Sequence, residues 1–368
     1  MFKAITIRLY PNKAQRSLID QTLGCCRFVY NWSLEKRTTD YNNGIATGYS
    51  QTCKMLTELK RTDEFSFLKQ ADAVALQASL RDLDRTYTNF FEKRAKYPHF
   101  KSKHNHRQSY RPLNMNNGNS IRIENKHIKL PKLGLVKIRQ TIKSANILYA
   151  TIKKCPSGKY FVVLTVKFEP KSRKNKGGRI GIDLGIKHYY TDSNGNVVEN
   201  PKNLKRSLKQ LVRAQHLLSR KVKRSQNFNK QRLRVAAIYE KISDRRNDFL
   251  QKLSSTLISE NQVICIEDLK PANMIKNRRT AREISDVAWG TFRRMLEYKS
   301  NWYGNKLVII PTFYPSSQLC SHCGFKNAKV KNLAIRAWTC TQCNAKHDRD
   351  YNASVNILKY GLQTLAIS

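Results

Sequence analysis

The chain has 368 residues, 69 of them Lys or Arg against 26 Asp or Glu, for a formal charge of +43. Such an imbalance repels itself unless a polyanion neutralises it, which excludes an ordinary mixed-charge surface and points to nucleic acid as the partner. At 40% hydrophobic residues the chain can bury two or three cores, so it is not a disordered basic tail. No apolar stretch reaches the roughly 18 to 20 residues of a membrane span. The opening residues lead into an alternating strand rather than a signal peptide, so a cytoplasmic protein with no membrane partner is expected.

Alternation over 3–10 predicts a first strand, with Ile5, Ile7 and Leu9 on one face and Thr6, Arg8 and Tyr10 on the other. Pro11-Asn12 ends it, and Asn12 can cap a helix whose apolar positions include Leu18, Thr22, Cys26, Val29 and Tyr30. A second helix is predicted after Asp72, carrying Leu76, Leu80, Leu83, Tyr87 and Phe90, so 12–106 reads as helical. From 120 to 168 short alternating runs, at 121–123, 135–138, 147–152 and 160–166, are separated by turn formers such as Asn125, Gly134 and Gly158. This spacing predicts a small barrel, formed by 1–11 and 107–170 around the helical insertion.

A basic linker at 171–178 marks a domain boundary. Beyond it, Arg179-Ile180-Gly181-Ile182-Asp183-Leu184-Gly185 reads as a buried strand, followed by a turn at Asp192-Ser193-Asn194-Gly195 and further strands in meander order. Two basic helices are predicted at 202–225 and 228–260. Val263-Ile264-Cys265-Ile266-Glu267 is another buried strand, Ser285 or Asp286 opens a helix with Trp289, Phe292, Leu296 and Trp302, and 307–310 is a third apolar strand. A last helix begins at Asp350.

Between these last two elements stand two Cys-x-x-Cys knuckles, Cys320/Cys323 and Cys340/Cys343. Four thiolates at this spacing can converge on one tetrahedral Zn²⁺, leaving no open position for a reactive water, so the zinc is expected to be structural. Cys25, Cys26, Cys53, Cys155 and Cys265 lie in apolar or mixed surroundings and read as small hydrophobes.

The chemistry is sought instead in three carboxylates that interrupt apolar strands or open a helix: Asp183, Glu267 and Asp350. A carboxylate at the end of a buried strand is costly unless a cation compensates it. Hard oxygen ligands select Mg²⁺ or Mn²⁺, and two such ions about 4 Å apart can drive in-line cleavage of a phosphodiester. Competing readings accompany each residue. Asp183 beside Gly185 also suits the first phosphate loop of sugar kinases and actin-like ATPases, although no second phosphate loop or Gly-rich adenosine motif follows. Asp268 could be the ligand in place of Glu267; on a strand the two point to opposite faces, so both cannot serve. Asp348 and Asp350 offer a similar choice, one as metal ligand and the other as helix cap.

In order along the chain, Tyr10-Pro11-Asn12, Tyr97-Pro98-His99-Phe100-Lys101-Ser102-Lys103, Gly181-Ile182-Asp183-Leu184-Gly185, Ile266-Glu267-Asp268-Leu269, Ser317-Gln318-Leu319-Cys320-Ser321-His322-Cys323-Gly324 and Asp348-Arg349-Asp350-Tyr351-Asn352-Ala353 resemble the motifs of TnpB. TnpB is the OrfB-type protein of insertion-sequence transposons and the apparent ancestor of type V CRISPR effectors. The resemblance implies a multidomain α+β protein: an N-terminal β-barrel wedge domain with an inserted helical recognition domain (12–106), then an RNase H-like RuvC nuclease domain (178–315 and 347–368) with an inserted four-cysteine zinc ribbon (316–346). It implies an RNA-guided DNA endonuclease with Mg²⁺ (or Mn²⁺) held by Asp183, Glu267 and Asp350. Its partners would be a guide RNA from the transposon end, one protein per RNA, and double-stranded target DNA next to a short adjacent motif. The family pattern selects Asp350 over Asp348. The alternatives are a DNA transposase acting on element ends and an RNA-guided repressor that has lost its carboxylates; all three carboxylates are present here.

Lys205, Arg206, Lys209, Arg213, Arg220, Lys221, Lys223, Arg224, Lys230, Arg232 and Arg234 make the two central helices cationic, as contact with a nucleic-acid backbone requires. Tyr49, Gln77 and Asn116 lie where a reader of the adjacent motif would be expected.

Overall fold

The computed structural model describes residues 1–105, 108–115, 119–140, 146–170 and 176–367. The chain divides into two compact units, Met1–Glu169 and Pro170–Ser368.

The first unit opens with β1 (Phe2–Tyr10), which leads directly into α1 (Lys13–Asn42). Asn12 caps α1 through a reciprocal box: its Oδ1 accepts from Gln15 N at 2.8 Å, and its own N–H donates to Gln15 Oε1 at 3.0 Å. α2 (Tyr49–Leu59) and α3 (Ala73–Phe91) follow, the latter capped by Asp72 through Val74 N at 3.2 Å. Among the described residues six further strands belong to the unit: β2 (Gln108–Tyr110), β3 (Arg122–Glu124), β4 (His127–Leu130), β5 (Gly134–Ile138), β6 (Asn146–Lys154) and β7 (Tyr160–Lys167).

These strands form one sheet in the order β2-β6-β7-β1-β5-β4-β3, with β1 at its centre and antiparallel to both neighbours. The expected barrel is therefore not closed by a ladder: among the described strands β2 and β3 are edges, and no pairing joins them. A backbone bridge and one side-chain amide take its place. Leu113 bridges Tyr149 on β6, and the Asn114 amide accepts from Ile121 N at 2.8 Å and donates to Ile121 O and Ile147 O. Beside a small helix-only cluster of Tyr30, Leu34, Leu83 and Tyr87, the helices share the core of the sheet. Ile19, Leu23, Val29, Leu56 and Leu76 bury their apolar faces in the same cluster as Ile7, Leu9, Ile128, Val162 and Leu164 of the sheet.

The second unit is built on β8 (Gly178–Leu184), β9 (His188–Asp192) and β10 (Val197–Glu199), an antiparallel meander. Then come α4 (Asn203–Ser219), α5 (Gln226–Glu260) and β11 (Asn261–Glu267), which pairs parallel to β8. α6 (Pro271–Met274), α7 (Ala281–Val287) and α8 (Trp289–Tyr303) lead to β12 (Lys306–Ile310), parallel to β11. The sheet order is β10-β9-β8-β11-β12. A short ladder of β13 (Ala337–Thr339) and β14 (Lys346–Asp348) precedes α9 (Arg349–Ile367). No helix among the described residues is long and apolar enough to cross a membrane.

Strand alternation sorts the two faces of this sheet. Ile264 and Ile266 point toward α5 and α8, joining Leu250, Leu257, Phe292 and Leu296. Val263 and Cys265 point the other way, into a cluster with Ile357 and Leu358 of α9. Gly181 lets the α9 main chain close directly on β8, and Gly361 leaves room for the Cys265 side chain beneath the helix. A Cβ at Gly181 would come within 2.2 Å of Ser354 O, and one at Gly361 within 2.3 Å of Cys265 Sγ.

Two expected boundaries move. Asp286 does not open the helix that carries Trp289. Its carboxylate accepts from Leu204 N at the start of α4 and from Arg246, while a left-handed Ala288 (φ 54°) separates α7 from α8. The first basic helix ends at Ser219, so Arg220, Lys221, Lys223 and Arg224 occupy the connection to α5.

Candidate active site

The alternation that sorts the sheet also places the carboxylates. Asp183 lies two residues after Gly181, and Glu267 two after Cys265, so both face α9 at the C-terminal ends of adjacent parallel strands. Asp350 enters from the first turn of α9. The three residues line one cleft of about 370 Å³, walled by Trp289, Ser316, Leu333, Arg336 and Arg349.

Burial pushes the Asp183 carboxyl well above the usual carboxylate range, and the charges of Glu267 and Asp350 push it further, against the pull of Arg349 and Arg336. Burial also raises Glu267, opposed by the Ser316 hydroxyl, which donates to Glu267 Oε1 at 2.6 Å. With Arg336 and Arg349 beside it, the cluster offers hard oxygen donors, the type of ligand that Mg²⁺ or Mn²⁺ takes.

The neighbouring acids are occupied elsewhere. Asp268 turns to the opposite face, where it pairs with Lys270 and with Arg293 of α8 and accepts from Thr312 at 3.2 Å. Lys270 chiefly, with help from Arg293 and Thr312, holds its carboxyl below the usual range. Asp348 caps α9: its Oδ1 accepts from Asp350 N at 3.0 Å and Tyr351 N at 2.9 Å.

The four knuckle thiols form the second centre. The Sγ atoms of Cys320, Cys323, Cys340 and Cys343 all lie within 4.8 Å of one another, with Cys320 to Cys343 and Cys323 to Cys340 each at 3.6 Å. Tetrahedral Zn–S bonds of about 2.3 Å need S···S spacings of about 3.8 Å, so this cage fits zinc. Each knuckle closes in the same way. Cys320 O accepts from Gly324 N and Cys340 O from Asn344 N, both at 2.9 Å, with Gly324 (φ 77°) and Asn344 (φ 59°) in the left-handed region.

Residues that the sequence reading passed over join the two centres. Buried Asn352 of α9 accepts from Ser321 N at 2.8 Å and donates to Leu319 O at 2.7 Å, and Asn356 donates to Ser316 O and Leu319 O. Arg336, from the segment between the knuckles, reaches back to pair with Asp350 at 3.4 Å. Buried Arg349 braces that segment by donating to Asn332 O at 2.7 Å. Asn352 and Asn356 stand one helical turn apart, a spacing that could have marked them; Arg336 has no local signal.

Of the eleven basic residues, ten are exposed and Arg232 is half-buried; among the described residues none of them pairs with a carboxylate. Leu211, Ala214, Val235 and Ile242 form the small apolar contact that holds α4 to α5 and leaves this cationic surface outward. In the first unit, Tyr49 packs partly against the core, beneath Arg81, which donates to its hydroxyl at 3.2 Å. Gln77 is exposed on α3, and Asn116 lies outside the described residues.

Three family profiles match the chain: a "Probable transposase" profile of the OrfB type over residues 162–278, the "Cas12f1-like, TNB domain" over 289–357, and a "Helix-turn-helix domain" over 1–46. Across 1–46 the structure holds β1 and the single long helix α1. A protein of Streptomyces pristinaespiralis named "Putative RNA-guided DNA endonuclease" is 40% identical over 99% of this chain and 90% of its own. InsQ of Escherichia coli K12, which bears the same description, is 31% identical over 99% of this chain and 93% of its own. The TnpB-like protein L79 of Acanthamoeba polyphaga mimivirus is 25% identical over 55% of this chain and 41% of its own. In fold, the chain is similar to Cas12f1 from a cryo-EM structure of the Cas12f1-sgRNA-target DNA complex, with a TM-score of 0.55 at 14% identity over 97% of this chain and 98% of that one. With identity of this extent along nearly its whole length, the chain belongs to the TnpB (OrfB) family.

Proposed function

We propose that this protein is a transposon-encoded RNA-guided DNA endonuclease whose second unit is an RNase H-like RuvC domain that hydrolyses the phosphodiester. The observation that carries the reading is the convergence of Asp183, Glu267 and Asp350 on one cleft, with Asp183 held toward its neutral form. The names of the relatives and the likeness to Cas12f1 support it. Mg²⁺ or Mn²⁺ between these carboxylates would supply the activation of water and the stabilisation of the leaving 3′-oxygen.

The chain's own residues do the rest. The strand ends and the seat of α9 fix the three carboxylates, and Ser316 orients Glu267. Arg336, now paired with Asp350, can turn its guanidinium to an incoming phosphate. The cysteine cage would hold a structural zinc and keep the Arg336 segment folded beside α9 (316–346). The exposed cations from Lys205 to Arg234 would grip the phosphates of a guide–target duplex, and base pairing with the guide would select the sequence. The wedge domain, 1–11 and 107–170, and its insertion 12–106 would hold the guide RNA and the adjacent DNA motif; Tyr49, Gln77 and Asn116 are the candidates for reading it.

The test is to express the chain with its native flanking DNA and sequence the RNA that copurifies. One abundant species ending in a segment that matches adjoining DNA is expected; RNA-free protein that binds element ends would establish a transposase instead. Asp183→Ala should reduce cleavage about a thousandfold or more, the several kcal/mol a metal site supplies, while retaining that RNA. Undiminished cleavage would sink the active-site assignment.

A further inference from the structure

The carboxylate cleft continues past the carboxylates. A second depression of about 350 Å³ shares Lys187, Arg336 and Asp350 with it and runs on to Gly195 and Tyr351. Tyr351 follows Asp350 directly, and the Asp348 carboxylate fixes its backbone N–H at 2.9 Å. Gly195, left-handed at φ 85°, lies beside the ring, where an added Cβ would come within 3.9 Å of Tyr351 Cε2. The ring is thus held against the β9–β10 turn while the residue stays 41% exposed. Lys187 is exposed, and among the described residues it pairs with no carboxylate.

Tyr351, Lys187 and Arg336 line this depression together with Asp348 and Asp350, and an anchored aromatic ring with cations nearby is how proteins hold single-stranded nucleic acid, the base on the ring and the phosphates on the charges. Bases inside a duplex are stacked and cannot offer a face to such a wall. We propose that this depression is a subsite for one nucleotide of single-stranded DNA beside the scissile bond, its base stacked on Tyr351 and its phosphates at Lys187 and Arg336. The proposal rests on the nuclease reading above and adds the strand form and the contact residues.

The full-length protein loaded with its guide RNA is given target DNA carrying one abasic site at successive positions around the mapped cut. In the native protein one position should slow cutting about tenfold, within what a single base–aromatic stack supplies. Tyr351→Ala should slow cutting of intact DNA by a similar factor and show no further loss at that position. Tyr351→Phe should cut like the native protein, and Tyr351→Leu, which keeps bulk without a ring, like Tyr351→Ala. Full retention of the abasic penalty in Tyr351→Ala, or a Tyr351→Phe as slow as Tyr351→Ala, would overturn the subsite. A native complex that leaves intact target uncut removes the nuclease reading and the subsite with it; one that cuts without any ring-dependent penalty removes the subsite alone.

Discussion

The cysteine cage and the carboxylate cleft meet at the start of α9, yet they are built on opposite terms. The cage gathers four soft ligands from two short turns and surrounds its centre. The cleft gathers three hard ligands from strands and a helix far apart in sequence and stays open on one side. A closed site gives its binding energy to folding and has no position left for a substrate. An open cluster of like charges weakens the fold until a cation and a phosphate enter it. The fold therefore stores stability at one end of the Arg336 segment and gives some up at the other.

The largest effect should come from Cys320→Ser. Structural zinc sites are worth about 10–16 kcal/mol in small domains, so zinc content should fall far below one ion per chain and soluble yield with it. Metal analysis and thermal melting check this, and full zinc retention would break the contrast between the sites.

Asp183→Asn should act in the opposite sense, raising the stability of the metal-free protein by about 0.5–2 kcal/mol, as removal of functional strain commonly does. The sign follows from linkage. A carboxyl whose folded pKa is raised stabilises the fold at low pH, and that stability is lost as pH rises through the folded value. The fall in melting temperature as pH rises should thus be shallower in Asp183→Asn than in the native protein, with Glu267 keeping part of it, and Mg²⁺ should raise the native melting temperature more than that of the variant. Equal pH profiles for the two proteins would show that the carboxylates do not repel as the geometry requires.

A third substitution sharpens the comparison by testing the joint. Asn352→Ala removes the acceptor of Ser321 N–H and one donor to Leu319 O. About 1–3 kcal/mol should be lost, and zinc retention and cleavage should weaken together. Loss of one without the other would show that the centres fold independently.

The features legible in sequence were those that break a local pattern. Asp183 and Glu267 stand out because each interrupts an apolar strand, and the cysteines because their spacing suits one ion. The central position of β1 was not visible, since pairing partners far along the chain leave no periodicity. β2 and β4 are too short for alternation to show. A ladder that closes the expected barrel is not seen among the described strands, and the contacts found there, the Leu113–Tyr149 bridge and the Asn114 amide, carry no pattern in sequence. Asp286 looked like a cap for its own helix because sequence shows that it can accept a hydrogen bond, but not that Leu204 supplies the donor. Arg336 escaped notice among so many cations; only its pairing with Asp350 distinguishes it.

Gly181 and Gly361 carry one more consequence. Most helices rest on sheets through a layer of interdigitating side chains, and drift in those residues shifts the helix by fractions of an ångström. At Gly181 main chain meets main chain, so near the site the interval between Asp183 and Asp350 is set by backbone dimensions, while at Gly361 the helix rests on the Cys265 side chain. The surrounding core is free to change its composition over many generations while the spacing of the reacting groups stays the same.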